Sequence, residues 1–300
     1  MNNILYNTVL FSSPILLCTL GGIFAYKANV LNIALEGMML TAAFVAALTV
    51  YLTGSYLAAV ALAVGVSLFL GVVFSVFGVS RKGNVIIIGL ALNLFASGFT
   101  ALILRRMGIA KLVAADFSLT SVRLFSGAAS VPFLGAFANH TLLTYLSYAL
   151  IFAAGVLMFK TKTGVYIRVA GENPEAARAV GININRVRYA AVLIGAAACG
   201  LAGVSLAVDC FGGVYAVNMT FGRGFIAIAA IYCGRGYPLK AALYAVLFGF
   251  SNAAAMYLQL TSAAAARLLT AVPYVMIVVL LTVASVLKNK GNSLRGFYNE

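Results

Sequence analysis

Carboxylates are nearly missing from this sequence, with six Asp and Glu in 300 residues against 20 Lys and Arg. Charged residues make up 9% of the chain, where a soluble domain carries about 25%. That is too little charge to cover a water-facing surface, so a soluble globular protein is excluded. Only one histidine is present, His140, and no Ser/His/Asp or Cys/His arrangement can be built around it. The short supply of His, Asp and Glu argues against an intramembrane enzyme, whose acid–base steps would draw on those side chains. The four cysteines, Cys18, Cys199, Cys210 and Cys233, form no Cys-x-x-Cys pair. They lie in or beside apolar runs and read as small buried hydrophobes rather than as a disulfide or metal site. No Gly-Lys dipeptide occurs, which excludes a phosphate loop of the G-x-x-x-x-G-K-[ST] form. No Lys or Arg precedes the first apolar run, so residues 1–26 read as a retained membrane segment rather than a signal peptide.

What fills the chain instead is apolar sequence. Hydrophobic residues make up 63% of it, gathered in runs near the roughly 20 residues that a membrane-spanning helix needs. The runs are continuous rather than alternating, which excludes a transmembrane barrel. The expectation is an all-α polytopic membrane protein of eight or nine transmembrane helices in a lipid bilayer, a single transmembrane domain over 1–300. Nine segments can be drawn: 4–26, 33–53, 56–79, 85–104, 142–159, 189–210, 218–234, 238–258 and 267–287. The segment at 218–234 is short and contains Arg223, and that at 33–53 opens on Asn32 and Glu36. Either suits a broken or re-entrant helix, which is tolerated only where protein or a water-filled cavity covers the freed backbone.

The net charge of +14 does not point to nucleic acid, because the basic residues sit between apolar runs and form no stripe with interleaved aromatics. It sets orientation instead. Threading the segments alternately, with the 160–188 loop in the cytoplasm, puts 14 of the 20 Lys and Arg on the cytoplasmic side. Five lie outside (Arg105, Arg106, Lys111, Arg123, Arg267), mostly in the outer loop 105–141, and Arg223 lies within a segment. This bias predicts a cytoplasmic C-terminus and, with nine crossings, an N-terminus outside.

A faint repeat relates "NIALEGMMLTAAFVA" (32–46) to "NMTFGRGFIAIAA" (218–230). Each has an Asn, then a charge followed by Gly, then a small and apolar run that leads into a hairpin. In the threading the two run in opposite directions, as inverted repeats do around a central transport site. Glu36 and Arg223 hold corresponding places. A lone charge in the bilayer core costs at least roughly 2.5–3.5 kcal/mol. Two readings stand: both residues face the bundle interior, where they organise the translocation path and pair with each other, or each snorkels to the interface. Asn32, Asn93, Asn218 and Asn252 are amides in apolar surroundings, suited either to contact a polar solute or to glue helices together at roughly 0.6 kcal/mol each.

The most polar stretch is "GENPEAARAVGIN" (171–183), with two of the six acidic residues. Asn173 is a good N-cap, Pro174 suits the first helical position, Glu175 complements the helix dipole and Gly181 suits the stop. A helix of about two turns does not persist alone in water, so it must dock, either on the chain's own surface or in a partner's groove. Small Ala side chains suit the second, because little rotamer entropy is lost.

This stretch, with "RVRYAAVLIGAAACGLAG" (186–203) after it, resembles the coupling region of ABC-importer permeases of the branched-chain amino acid/ribose type. "GGIFAYKANVLNIALEGMMLTAAFVA" (21–46) and "FGRGFIAIAAIYCGRGYPLKAALYAVLFGF" (221–250) resemble the N- and C-terminal signatures of the nucleoside branch, that served by basic membrane proteins. The three motifs come in the expected order. The resemblance implies a transport permease of the bacterial cytoplasmic (inner) membrane with no cofactor of its own, ATP being used by a cytoplasmic ABC ATPase. Gly171, Glu172, Asn173, Pro174, Glu175, Ala176, Ala177, Arg178 and Gly181 would form the ATPase-coupling element. A second homologous permease subunit would complete a heterodimeric pore, and an extracytoplasmic substrate-binding lipoprotein would deliver the cargo. The implied cargo is a nucleoside or a related ribosyl or ribityl compound such as riboflavin. A ribose-like sugar, a branched-chain amino acid, and an ATPase-independent secondary transporter are the alternatives. The sequence departs from the pattern at Arg223 and Arg235, which add positive charge to the C-terminal signature.

Overall fold

The computed structural model describes residues 2–114, 123–124 and 134–261, and isolated helical residues between 275 and 282. The segment 267–287 otherwise lies outside the described residues, as do its basic flank and much of the 105–141 loop. In chain order the helices are α1 (Asn2–Lys27), α2 (Leu35–Thr53), α3 (Tyr56–Ser75), α4 (Val85–Arg106), α5 (Leu142–Lys160), α6 (Lys162–Glu172), α7 (Pro174–Ala179), α8 (Ile184–Val204), α9 (Arg223–Cys233) and α10 (Pro238–Thr261). A π-helical turn prolongs α3 to Ser80 and another prolongs α8 to Cys210. Short strands β1 (Lys111–Val113), β2 (Arg123–Leu124), β3 (His140–Thr141) and β4 (Val214–Ala216) pair antiparallel, β1 with β4 and β2 with β3. Among the described residues, seven helices are long and apolar enough to cross a membrane: α1 to α5, α8 and α10.

Local chemistry sets where these helices begin. Ser55, Asn84, Thr141 and Asn183 each stand one residue before a helix and accept a first-turn N–H, at 2.9 to 3.4 Å. An oxygen-bearing side chain at this position satisfies one of the orphan donors of a helix start. α1 runs through the middle of the bundle, packed against α10, α8, α9 and α5. It is buried on all sides and shows no polar stripe, as a helix enclosed by other helices should. α3, α4 and α5 instead present large apolar side chains outward, such as Leu57 (80% exposed), Leu94 (75%) and Phe152 (73%). α1 and α8 run antiparallel. Ser13 Oγ and Ser205 Oγ share a 2.6 Å hydrogen bond, Cys18 Sγ lies 3.5 Å from Cys199 Sγ, and Arg188 Nε donates to Ala28 O at 3.3 Å. All four thiols are free, and the two on this seam are fully buried.

The basic residues gather at the end where α1 stops and α8 starts. Lys27 and Lys240 both lie over the Tyr237 ring, and Arg168 lies over Phe159. His140 sits at the other end of α1. It is 1% exposed, its Nε2 is 3.0 Å from Ala136 O, and its ring stacks on Tyr6 at 4.2 Å. It packs as a core side chain.

Segment 218–234 is the broken one of the spans: α9 covers only Arg223–Cys233, about 16 Å against a hydrocarbon core of about 30 Å. From Phe211 to Gly222 the chain is irregular. Gly212, Gly213, Asn218, Phe221 and Gly222 all have positive φ, from 44° to 78°. Such a run of left-handed residues cannot continue a right-handed helix, and β4 inside it is held by the β1 ladder at 111–113. The chain therefore returns from the C-terminal end of α8 in extended form and becomes helical only part-way through the bundle.

Candidate functional site

α2 and α9 both start inside the bundle, and they start against each other. Glu36, in the first turn of α2, is 9% exposed. Its Oε1 accepts from Thr220 Oγ1 at 2.6 Å and Gly222 N at 2.9 Å, and its Oε2 accepts from Gly224 N at 2.6 Å. The N-cap of α9 is Gly222, which has no side chain to satisfy the first-turn donors. The carboxylate of another helix does so instead, at the end where the helix dipole favours an anion. Close approach requires glycine at 224, since a Cβ there would lie 2.5 Å from Glu36 Cα. Beyond this contact, α2 leads away from the basic end and α9 leads toward it, as Tyr232 meets Tyr26 and Gly236 meets Lys27. The two related segments therefore run in opposite senses, as the threading requires.

Arg223 is also buried, at 7% exposure, but it is not the partner of Glu36. Its Nη1 donates to Met219 O at 3.0 Å and Thr220 O at 3.2 Å, and the guanidinium lies 5.8 Å from the Phe211 ring centre. The reading in which the two charges pair directly gives way to a different division. The anion caps the start of α9, and the cation holds carbonyls of the irregular segment just before it. Neither group snorkels to an interface.

The four amides divide in the same way. Asn93 on α4 accepts from Gly37 N at 2.8 Å and donates to Ile33 O at 3.0 Å, bracketing the start of α2. Asn32 Oδ1 accepts from Ala34 N at 3.1 Å. Asn252 Nδ2 donates to Phe248 O within its own helix, at 3.1 Å. The hydrogen bonds of these three all go to backbone groups or side chains of the bundle itself. Asn218 is exposed, and its Oδ1 accepts from Ser97 Oγ at 2.7 Å. Thr220 and Ser97 were not singled out from the sequence. Thr220 was legible in principle, as a hydroxyl just before the Phe-Gly-Arg-Gly turn, whereas Ser97 in the middle of α4 gives no local signal.

The stretch 171–183 forms the helix its capping residues predict. Asn173 Oδ1 accepts from Ala176 N at 3.0 Å, Pro174 opens α7, and Gly181 has φ of +79°. Ile182 N then closes on Ala177 O at 2.9 Å. Ala177 is fully buried against Ala170 of α6 and Ile184 of α8. Glu172, Asn173, Glu175, Ala176, Arg178 and Ala179 are exposed, and Val180 is 73% exposed at the tip. The helix thus docks on its own chain through one residue and turns its other faces outward. Gly171 joins this unit to α1 at a point where a Cβ would run into Lys27 O. A cavity of about 320 Å³ lies beside that joint, lined by Tyr26, Lys27, Asn29, Glu172 and Tyr232 among others.

The family described as "branched-chain amino acid transport system / permease component" matches residues 4–281. The chain belongs to this family. It is 32% identical over 264 residues to a guanosine ABC transporter permease of Bacillus subtilis, covering 82% of this chain and 79% of that protein. A nucleoside ABC transporter permease of Lactococcus lactis is 28% identical, with 84% and 82% covered. A putative glucose ABC transporter permease of Haloferax volcanii is 29% identical, with 82% and 74% covered. No solved structure gives a significant match. The protein is therefore an ABC transporter permease, a multi-pass membrane protein whose family works with an ATPase and a substrate-binding partner.

Proposed function

We propose that this permease imports nucleosides, driven by a separate cytoplasmic ATPase that docks on α7. The observation that carries the cargo is the similarity to guanosine and nucleoside permeases over more than four-fifths of the chain. The same reading makes the basic end cytoplasmic, places Gly171 to Arg178 and Gly181 at the ATPase contact, and requires a second permease subunit and an extracytoplasmic binding lipoprotein. The exposed faces of α7 and the packing of Gly171 on the end of α1 support a push passed from the dock to the bundle. Glu36, Arg223, Asn32, Asn93 and Asn252 then serve the translocation path by holding its walls, and Asn218 by facing it.

A sugar is the second reading, favoured by the 29% identity to the putative glucose permease. Uptake of labelled guanosine by cells expressing the whole transporter, competed with uridine, riboflavin, ribose and glucose, separates them. Competition by uridine but not by ribose or glucose is expected. Competition by the sugars alone would replace the nucleoside reading, and competition by riboflavin alone would move the cargo to ribityl compounds.

A further inference from the structure

We propose that Lys27, Arg168 and Lys240 bind the phosphate of an anionic phospholipid, whose acyl chains follow the outward faces of α5 and α10. The cluster draws on separate stretches of the chain. Lys27 ends α1, Arg168 lies on α6, and Lys240 is in the first turn of α10. Their platform is a pair of rings, Phe159 near the end of α5 and Tyr237 just before α10, stacked at 5.7 Å and 10°. Lys27 Nζ and Lys240 Nζ lie 4.8 and 5.3 Å from the centre of the one Tyr237 ring, and the Arg168 guanidinium lies 5.2 Å from that of Phe159. Ring faces hold the cations in place but carry no net charge to offset theirs. Among the described residues none of the three forms an ion pair, and Arg168 Nε is buried with no acceptor. A buried charged donor without a partner is costly, and two ammonium groups that share one ring repel each other. An anion set among them removes both costs. Glu172 does not supply it, since it borders the same cavity as Lys27 without forming an ion pair with it.

Position decides which anion. α1, α5 and α10 are all long and apolar enough to cross a membrane, and the cluster gathers at the ends of α1 and α5 and the beginning of α10. It therefore lies at one boundary of the hydrocarbon layer, the depth at which phospholipid phosphates meet basic side chains. Just inside that boundary, α10 and α5 turn apolar side chains outward. Leu239 and Leu243, one turn apart, are 69% and 61% exposed, and Val156 is 51% exposed. A soluble anion makes no use of these side chains, whereas a lipid sets its phosphate on the cations and its chains along the leucines. Each lysine keeps its ammonium hydrogens for phosphate oxygens, and Arg168 has its Nε–H to give. Phosphatidylcholine also carries a phosphate, but its quaternary ammonium meets three cations, so the cluster selects a headgroup with net negative charge. The proposal stands apart from the cargo and from the ATPase dock.

The whole transporter, purified in detergent, is titrated with phosphatidylglycerol, with phosphatidylcholine and with inorganic phosphate while its unfolding midpoint is followed. A rise of several degrees with phosphatidylglycerol alone is expected, because a ligand that binds only the folded state stabilises it. No rise overturns the proposal. So does an equal rise with phosphatidylcholine, which means that any amphiphile serves, or with inorganic phosphate, which means a site for soluble anions. In Arg168→Gln/Lys240→Gln the phosphatidylglycerol needed for half the effect should increase ~30-fold, the loss of two cations facing an anionic headgroup. An unchanged titration contradicts the proposal. A measurement on the unsubstituted transporter keeps the test open if that variant does not fold. Phosphatidylglycerol with a diazirine in its acyl chain is photolysed with the transporter in nanodiscs, and the labelled peptides are read by mass spectrometry. Labelling concentrated on the adjoining parts of α5 and α10, and suppressed by excess unlabelled phosphatidylglycerol but not by phosphatidylcholine, is expected. Labelling spread evenly over the outward faces of α3, α4, α5 and α10, or suppressed equally by both lipids, overturns the proposal.

Discussion

The two helix starts that meet inside this permease are built in unlike ways. The start of α2 is braced by neutral amides: Asn32 Oδ1 accepts from Ala34 N just ahead of it, Asn93 Oδ1 on α4 accepts from Gly37 N in its first turn, and the helix then runs 19 residues. The start of α9 has a bare glycine at its cap, and its donors close on the Glu36 carboxylate of α2. One start is therefore held by neutral amides, and the other by a single borrowed carboxylate. Helix–helix hydrogen bonds between neutral groups in a membrane average about 0.6 kcal/mol, whereas bonds to a buried charge are worth about 1.5–3 kcal/mol each. The contact with the strongest bonds is also the one that joins the two opposed segments.

That contrast can be broken in graded steps. Glu36→Ala removes all three bonds and strands the donors of α9, so a loss of about 3–5 kcal/mol is expected, read as a large drop in the unfolding midpoint of the purified permease. Glu36→Gln keeps the volume but turns an N–H₂ toward N–H donors, and is expected to lose about half as much. Gly224→Ala pushes a methyl into the backbone of Glu36 and should cost about 1–3 kcal/mol by the same measurement. Asn93→Ala weakens only the start of α2, with an expected loss of about 1 kcal/mol. If Asn93→Ala proved as harmful as Glu36→Ala, the two starts would be equivalent after all. The smallest effect on stability is expected in α7. Ala176→Trp lies on an exposed face of α7 and should change stability by less than about 0.5 kcal/mol while abolishing co-purification of the ATPase. Ala177→Trp strikes a fully buried side chain and reports on folding of the loop instead.

Much of the bundle was legible in the sequence. The run at 85–104 became Val85–Arg106, that at 142–159 became Leu142–Lys160, and that at 56–79 became the span Tyr56–Ser80. Length and continuous hydrophobicity define such spans, and Ser, Thr and Asn caps mark their starts. The 218–234 run showed by its shortness and its Arg223 that it is broken, but not where, because hydropathy measures how greasy a segment is and not the depth at which it turns helical. Its glycines and left-handed residues carried that information, but only the β1–β4 ladder, formed with residues a hundred positions earlier, made it decisive. Glu36 and Arg223 stood out because charge is rare in this chain. The partners of Glu36 did not, because two of the three are backbone N–H groups, which every residue but proline possesses. In α7 the caps were readable and the inward position of Ala177 was not, since two turns are too few to show a periodic face.

Guanosine uptake into proteoliposomes containing the permease pair, its binding protein and its ATPase, measured with ATP, without ATP and with Ala176→Trp in α7, tests the central claim most directly. Uptake that needs ATP and is lost when Ala176→Trp blocks the ATPase dock is the expected result. Full uptake by the permease with no ATPase present would contradict it and identify a gradient-driven carrier or a channel.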